Sequence, residues 1–298
     1  MMPYASAGAF RRALEDRLRT QSRQTGITLA WLRKMVAFER LIARLATDQP
    51  DLWALKGGLA LQWRFPDRAR TTKDMDLLLT ASNQTPHEFL VRAAVHDLGD
   101  WFQYRVERPL RASEGQLPGG GTRFGVEARL ADRVFEVFHV DVGWGDPVVE
   151  PLDCLTPPSS LAFAGIGPCR VPCYPLSQHL AEKAHAYARS HAGSESSRVK
   201  DLIDIDLIAL TTSIRGPALC AALIATFRAR DAGSLLPRLP APPATWALPF
   251  EALDQSMNLG LDTLEQGFSL ACSLFDPVLQ GHVAGTWDPS TLRWREHS

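Results

Sequence analysis

The sequence predicts a mixed α/β fold in which a mixed β-sheet with flanking helices is followed by a helical half. Short apolar segments bounded by turn residues dominate up to about residue 155, whereas apolar residues follow helical spacing from Leu176 onward. The chain has 298 residues, of which 45% are hydrophobic and 22% charged, so it can bury a substantial core. We therefore expect two domains, residues 1–155 and residues 156–298.

The N-terminal stretch is predicted to be helical. Phe10, Leu14 and Leu18 recur at four-residue spacing, and an apolar stripe continues from Leu29 to Leu45. Pro50 ends this pattern.

The same stretch is basic although the whole chain has a formal net charge of -1. Its cations are Arg11, Arg12, Arg17, Arg19, Arg23, Arg33, Lys34, Arg40 and Arg44. Such an arm suits a polyanionic substrate, and it is equally compatible with an ordinary solvated helix face.

The next segments alternate between strand and helix signals. Leu52–Leu55 is short and apolar, Leu59–Phe65 has a helical pattern ended by Pro66, and Asp74–Leu79 is a strand candidate. The glycine pair Gly57-Gly58 follows Lys56 at the first of these junctions.

A helix is predicted over residues 87–98, followed by three strands. These strands are Phe102–Arg108, Arg123–Leu130 and Val134–Val142. Ala131-Asp132 has the length of a tight hairpin turn between the last two. Gly119-Gly120-Gly121 is interpreted as a loop before that hairpin, because no helix opens after it.

The second half is predicted to be helical apart from a proline-rich connector around residues 237–249. The predicted helices cover residues 176–191, 198–211, 216–230 and 249–275.

Cysteine usage and hydropathy suggest the compartment. Five scattered cysteines are typical of a reducing environment rather than of a disulfide framework. The start of the chain lacks the apolar core of a signal peptide, and no apolar run reaches the roughly 18 residues of a membrane span. We expect a cytoplasmic protein without a membrane partner.

Asp74 and Asp76 are the first candidates for chemistry. Side chains at positions i and i+2 of a strand lie on the same face, and two carboxylates held together repel each other unless a cation lies between them. Their oxygens suit Mg²⁺, which binds through one or two carboxylates plus substrate phosphates. A solvated strand start is the alternative for Asp-x-Asp alone.

Asp141 is the third carboxylate of interest. It interrupts the otherwise apolar strand Val134–Val142, and a buried carboxylate needs a partner. A metal ion shared with Asp74 and Asp76 would supply one, and an arginine would serve equally well.

Gly57-Gly58, then Asp74-x-Asp76, then Asp141 resembles the pattern of the polymerase-β-like nucleotidyltransferase superfamily. The stretches Leu55–Leu61 and Arg70–Leu77 are similar, more specifically, to the AbiEii/AbiGii toxin family. Downstream, Glu182–Ala186 and Arg198–Asp204 resemble that family's Lys and Lys-Asp-x-x-Asp motifs. The likeness covers roughly residues 30–298.

The resemblance implies a metal-dependent nucleotidyltransferase, the toxin of a bicistronic toxin–antitoxin or phage-defence pair. It implies an NTP substrate, Mg²⁺ or Mn²⁺, an antitoxin from the same operon, and the 3′ end of tRNA as acceptor. Asp74, Asp76 and Asp141 would hold the metal, and Asp201 and Asp204 would join Asp74, Asp76 and Lys183 as catalytic residues. The implied nucleotide-binding residues are Lys56, Gly57, Gly58, Arg70, Thr72 and Lys183. The two domains would enclose a cleft.

Three alternatives remain open. The same core could modify a small molecule, it could transfer phosphate or nucleotide to a protein, or the chain could be a non-catalytic binding module. Clustered like charges argue against the last, because without a cation they only destabilise the fold.

Overall fold

The computed structural model describes residues 3–80, 84–108, 120–189, 195–231 and 235–296. Its backbone contacts divide the chain into two compact units. Unit 1 comprises Met1–Leu59, Thr72–Gly145 and Cys154–Cys173, and unit 2 comprises Ala60–Thr71, Asp146–Asp153 and Tyr174–Ser298. The units are interleaved in sequence, in contrast to the single boundary near residue 155 that the composition predicts.

The helices are α1 (Ala7–Thr25), α2 (Leu29–Asp48), α3 (Gly57–Arg64), α4 (Pro86–Val95), α5 (Leu176–Ala188), α6 (Glu195–Thr211), α7 (Gly216–Asp231), α8 (Ala247–Met257) and α9 (Leu264–Leu279). The strands are β1 (Trp53–Lys56), β2 (Asp74–Leu79), β3 (Phe102–Val106), β4 (Thr122–Leu130), β5 (Arg133–Trp144), β6 (Asp153–Leu155), β7 (Val171–Cys173), β8 (Ile214–Arg215), β9 (Thr286–Asp288) and β10 (Arg293–Arg295).

A seven-stranded mixed sheet has the order β3-β4-β5-β2-β1-β7-β6. Strand β2 is antiparallel to β1 and parallel to β5, and β7 is parallel to β1. The predicted mixed sheet is confirmed, including the hairpin of β4 and β5. Its turn residues Ala131 and Asp132 both have positive φ, 51° and 57°, as a two-residue hairpin requires.

The N-terminal helices begin and end at good capping residues. The Ser6 side chain accepts from the Ala9 amide at the start of α1, and Gly26 ends that helix with φ of 74°. Thr28 caps α2 in the same way. Helix α2 then packs on the sheet, where the rings of Phe38 and Phe138 lie 4.9 Å apart.

Most of the basic N-terminal charge is used inside unit 1. Arg40 and Arg44 both bind the buried Asp100, with the closest contacts at 2.7 Å. The other paired cations are Arg11 with backbone carbonyls, Arg17 over the Phe163 ring, Arg19 with Asp16, Arg33 with Glu15, and Lys34 with Glu136. Arg12 and Arg23 have no printed side-chain partner in the part of the chain described.

Unit 2 is built around the helices α5–α9, whose apolar faces share one core. Trp246, Phe250, Phe275 and Trp287 are among its large buried side chains. A small antiparallel sheet of order β10-β9-β8 closes this unit, and the indole of Trp287 donates to the Ala209 carbonyl at 2.8 Å.

The prediction of one helix over residues 249–275 is wrong, because α8 and α9 are separate. Asn258 ends α8 in the left-handed region with φ of 51°. The buried Asp254 carboxylate accepts from the Leu261 and Asp262 amides, which fixes the connection, and the Thr263 side chain caps α9. Local polar capping overrides the continuous apolar period in this segment.

Unit 2 also buries a carboxyl group without a hydrogen-bond partner. Asp206 on α6 is fully buried, and neither of its oxygens is hydrogen-bonded among the residues described. Gly267 leaves space for it, since a Cβ there would lie 2.7 Å from the Asp206 Oδ2 atom. Burial raises the pKa of Asp206 well above its ordinary value, and repulsion from Asp254 adds to the effect.

None of the helices within the described ranges combines the length and the apolar character that a bilayer crossing needs.

Candidate active site

Strand β2 presents Asp74 and Asp76 on one face of the large sheet. Met75 and Leu77, on the opposite face, are fully buried, whereas the two carboxylates are partly accessible. The alternation predicted for Asp74–Leu79 is thereby confirmed.

Asp141 lies on the neighbouring parallel strand β5, on the same face. Its Cα is the register partner of the Asp76 Cα, and Asp74 is the register partner of His139. The parallel pairing therefore brings together the three carboxylates proposed from sequence, all within unit 1.

Arg123 is the partner of Asp141, and the sequence did not single it out. Its guanidinium binds both Asp141 oxygens, at 2.8 and 2.7 Å, and reaches Asp74 Oδ2 at 3.4 Å. The pKa of Arg123 lies above its ordinary value, chiefly because of the hydrogen bonds to Asp141, with Asp74 and Asp76 contributing against the effect of burial. This fork neutralises the most buried of the three carboxylates.

His139 is a second residue that sequence inspection missed. Its Nδ1 atom lies 3.7 Å from Asp74 Oδ1, and its side chain is half exposed. An imidazole so placed adds a titratable group beside the carboxylates.

Gly57 is required where β1 meets α3. Its φ is 65°, and a Cβ at this position would overlap the Asp76 carboxylate. The Asp76 side chain therefore lies directly against the backbone of the glycine turn. Lys56, at the end of β1, is the register partner of Asp76.

Thr72 immediately precedes β2 and is buried. Its hydroxyl donates to the Asp74 carbonyl at 3.1 Å, which orients the start of the strand. In this geometry the hydroxyl is engaged with the backbone.

The carboxylate face fits a divalent cation by donor chemistry. No three His, Cys, Asp or Glu side chains in the described ranges are gathered closely enough to hold a metal by themselves. Magnesium, however, commonly binds through one or two carboxylates together with substrate phosphates. Asp74 and Asp76 supply such oxygens, and Gly57 keeps the neighbouring space free of a side chain.

Unit 2 holds the other group of candidate residues. The Lys183 Nζ atom lies 3.0 Å from Asp201 Oδ1 and 2.6 Å from Asp204 Oδ2. Arg70 binds Asp204 through two hydrogen bonds of 3.0 and 2.8 Å, and Arg198 binds Asp201 at 2.8 Å. Four residues proposed from sequence thus meet in one ionic cluster, to which Arg198 is an addition.

The electrostatics of this cluster follow from its burial. Burial alone would lower the pKa of Lys183, but Asp204 and Asp201 outweigh it and raise the value to about 12. The pKa of Asp204 is lowered because Lys183 and Arg70 overcome its own burial. Three cations face two carboxylates, so the cluster carries one surplus positive charge at neutral pH.

Comparison with known proteins now gives this geometry a context. The sequence profile of the nucleotidyl transferase AbiEii toxin family, a type IV toxin–antitoxin system, matches residues 40–276. No curated protein matches the chain in sequence.

Two solved structures resemble the fold. MenT4, a nucleotidyltransferase toxin from Mycobacterium tuberculosis H37Rv, superposes with a TM-score of 0.54 at 15% identity, covering 94% of this chain and 99% of that one. JHP933 from Helicobacter pylori gives a TM-score of 0.46 at 12% identity, covering 86% and 95%.

The family profile spans the glycine turn, the carboxylates of β2 and β5, and the Lys183 cluster. The chain belongs to the AbiEii family, and it is a nucleotidyltransferase toxin of the type IV toxin–antitoxin class.

Proposed function

We propose that the protein transfers a nucleoside monophosphate from an NTP to the 3′ end of tRNA, as the toxin partner of an antitoxin encoded beside it. The observation that carries this proposal is the shared face of Asp74, Asp76 and Asp141 on two neighbouring strands, next to the glycine turn. Nucleotidyl transfer needs oxygen donors and an open backbone approach of this kind. The family supplies the NTP and the antitoxin, and it places the protein in the cytoplasm.

The metal proposal concerns Asp74 and Asp76. They would hold Mg²⁺ or Mn²⁺ together with the phosphates of the nucleotide, and Asp141 would be the third carboxylate of the set. The ion supplies charge neutralisation at the reacting phosphate. The protein itself holds the carboxylates in place through the strand register, and Arg123 balances Asp141.

The nucleotide proposal concerns two separate sets of residues. The amides of Gly57 and Gly58 at the start of α3, with Lys56 and Thr72 beside them, would contact the triphosphate. We propose the same for Lys183 and Arg70, because their cluster has a surplus positive charge. Asp201 and Asp204 would then act by positioning these cations.

The choice of an RNA acceptor has its own support. His139 and Val137 are exposed on the sheet face that carries the carboxylates, and each is about half accessible. An imidazole and an apolar side chain beside the site offer a surface on which a terminal base can stack.

The first experiment incubates the purified protein with Mg²⁺, each α-labelled NTP in turn, and total tRNA. We expect label on tRNA from one or more nucleotides. The Asp74→Asn/Asp76→Asn variant should lose it, because the donor pair is gone while the side-chain volumes remain. The matched control is Asp51→Asn/Asp262→Asn, which removes the same charge from exposed positions.

Other results would redirect the assignment. Label on the protein itself or on a small molecule, with none on tRNA, would contradict the acceptor proposal. Label from γ-labelled NTP alone would show phosphoryl rather than nucleotidyl transfer. Lys183→Gln should weaken NTP binding in the same preparation, and unchanged binding would remove Lys183 from the nucleotide set.

A further inference from the structure

A cavity of about 360 Å³ lies in unit 1 between the first half of α1 and the β4–β5 turn. It is far from the carboxylates along the sheet, and nothing described so far uses it. Its charged lining residues are Arg11, Arg12, Glu15, Asp16, Arg19 and Arg133.

The cavity wall is held in place by Arg11. Its guanidinium donates to the carbonyls of Leu130 at 2.6 Å, Arg133 at 3.0 Å and Val134 at 2.9 Å. These three bonds attach α1 to the end of the hairpin. The position of Arg133 relative to the helix is therefore fixed by the fold rather than by solvent.

The cavity has an excess of positive charge that the described part of the chain leaves unbalanced. Asp16 is occupied by Arg19 at 3.0 Å, and Glu15 by Arg33 at 2.5 Å. No hydrogen bond or ion pair is found for the guanidinium groups of Arg12 and Arg133 among the described residues.

The behaviour of Arg11 agrees with this surplus. Burial lowers the pKa of Arg11, Glu15 partly offsets the effect, and the neighbouring Arg133 and Arg33 lower it further. Four cations and two carboxylates line the space, so an anion that entered it would meet two unused guanidinium forks.

We propose that this cavity binds a phosphate of the RNA acceptor's backbone, through Arg12 and Arg133. This inference rests on the proposed function and specifies where the acceptor is held. Guanidinium groups bind phosphate oxygens in a bidentate manner, and contacts of this kind fix the register of a nucleic acid without reading its bases. A polynucleotide is favoured over free phosphate because the cavity is open to the surface and lies on the same sheet as the proposed reaction site.

The distance along the sheet sets the length of acceptor that can use this contact. Arg133 and Asp141 both lie on β5. Their separation along the strand is about 25 Å at roughly 3.3 Å per residue. At about 3.4 Å per phosphate along one strand of a duplex, this distance corresponds to about seven nucleotides. An RNA much shorter than that cannot occupy both places.

The test compares tRNA binding of the wild-type protein with that of Arg12→Gln/Arg133→Gln as the salt concentration rises. Each lost phosphate contact reduces the slope of log K against log salt by about 0.7–0.9, so the double variant should lose about 1.4–1.8. Between 50 and 200 mM salt, wild-type affinity should then fall by an extra factor of about 7–12 relative to the variant. The control is Arg23→Gln/Arg293→Gln, which removes the same charge from exposed positions that do not line the cavity.

Two further arms identify the ligand. A four-nucleotide RNA with the tRNA 3′ sequence should bind the wild type and the double variant alike, and inorganic phosphate at millimolar concentration should not displace tRNA. An unchanged slope with tRNA, an equal loss on the short RNA, or displacement by free phosphate would overturn the inference. Unchanged tRNA binding with weakened binding of an acidic partner protein would also overturn it. These are binding measurements, so a lack of nucleotide transfer would contradict the proposed function alone.

Discussion

Replacing Arg123 by methionine tests the electrostatic design of the carboxylate face. The change leaves the Asp141 carboxylate, about 10% exposed, without hydrogen bonds of 2.8 and 2.7 Å. Truncating one partner of a buried ion pair costs about 3–5 kcal/mol. The Arg123 side chain is 42% exposed, so solvent screens part of this interaction. We therefore expect the free energy of unfolding to fall by about 2 kcal/mol, which lowers Tm by about 4–8 °C.

The assay is thermal unfolding in the presence of EDTA for the wild type, Arg123→Met, Asp141→Asn and the double variant. The double-mutant cycle should give a coupling energy of about 1.5–2.5 kcal/mol, within the range measured for contacting residues. Added Mg²⁺ should then raise the Tm of Arg123→Met more than that of the wild type, because the unpaired carboxylate gains a cation.

A coupling energy below about 0.5 kcal/mol, the limit for independent sites, would refute the pairing. An equal gain from Mg²⁺ in both proteins would instead remove Asp141 from the metal set. Arg129→Met is the matched control. It breaks the more exposed pair with Glu127, which should contribute less than about 1 kcal/mol.

Three further predictions concern backbone space and buried charge. Gly57→Ala should abolish transfer because the new Cβ overlaps a candidate carboxylate, whereas Gly26→Ala, also at positive φ but in open space, should only lower stability by about 1–2 kcal/mol, as an activity assay and urea unfolding would show. Asp206→Asn should gain stability relative to the wild type as pH rises. The folded carboxyl holds its proton more tightly than the unfolded one, so wild-type stability is highest below the ordinary pKa and is lost above it, by up to about 1.4 kcal/mol per pH unit; parallel urea curves at pH 5, 6 and 7 would contradict this. Arg44→Met should cost about 3–5 kcal/mol in thermal unfolding because it strands a buried carboxylate, whereas Arg92→Met at an exposed pair should cost less than about 1 kcal/mol.

The carboxylates of β2 could be identified from the sequence because strand geometry is local. Positions i and i+2 share a face in any strand, so Asp74 and Asp76 needed no tertiary information. The same holds for Asp201 and Asp204, which are three residues apart on α6 and both bind Lys183.

Arg123 could not be found in the same way, and the reason is a β-bulge. The predicted turn at Ala131-Asp132 sets the register near the hairpin end, where Leu130 pairs with Arg133. Continued without interruption, that register would place Arg123 opposite Val140. The register shifts between Ala128 and Arg129, and the extra residue on β5 brings Arg123 opposite Asp141 instead. A one-residue slip exchanges the two faces of a strand, and no local signal in the sequence announces it.

The basic N-terminal arm shows the opposite limitation. Its charge was visible in the composition, but its use depends on contacts with distant residues such as Asp100. Composition counts charges and does not show which of them are already paired. Two of its arginines, Arg12 and Arg23, stay without a printed side-chain partner in the described part of the chain.

The parallel pairing of β1 with β7 has a consequence for synthesis. Leu55 aligns with Cys173, so the first strand meets this neighbour only after about 120 further residues have been made, or about 6–24 s at 5–20 residues per second. During that interval one edge of β1 lacks its neighbour, and unpaired edges invite pairing with other chains. For a toxin, this delay means that the nascent chain has no complete catalytic sheet until well over half of it has been translated. An antitoxin made from the same transcript can accumulate during that time.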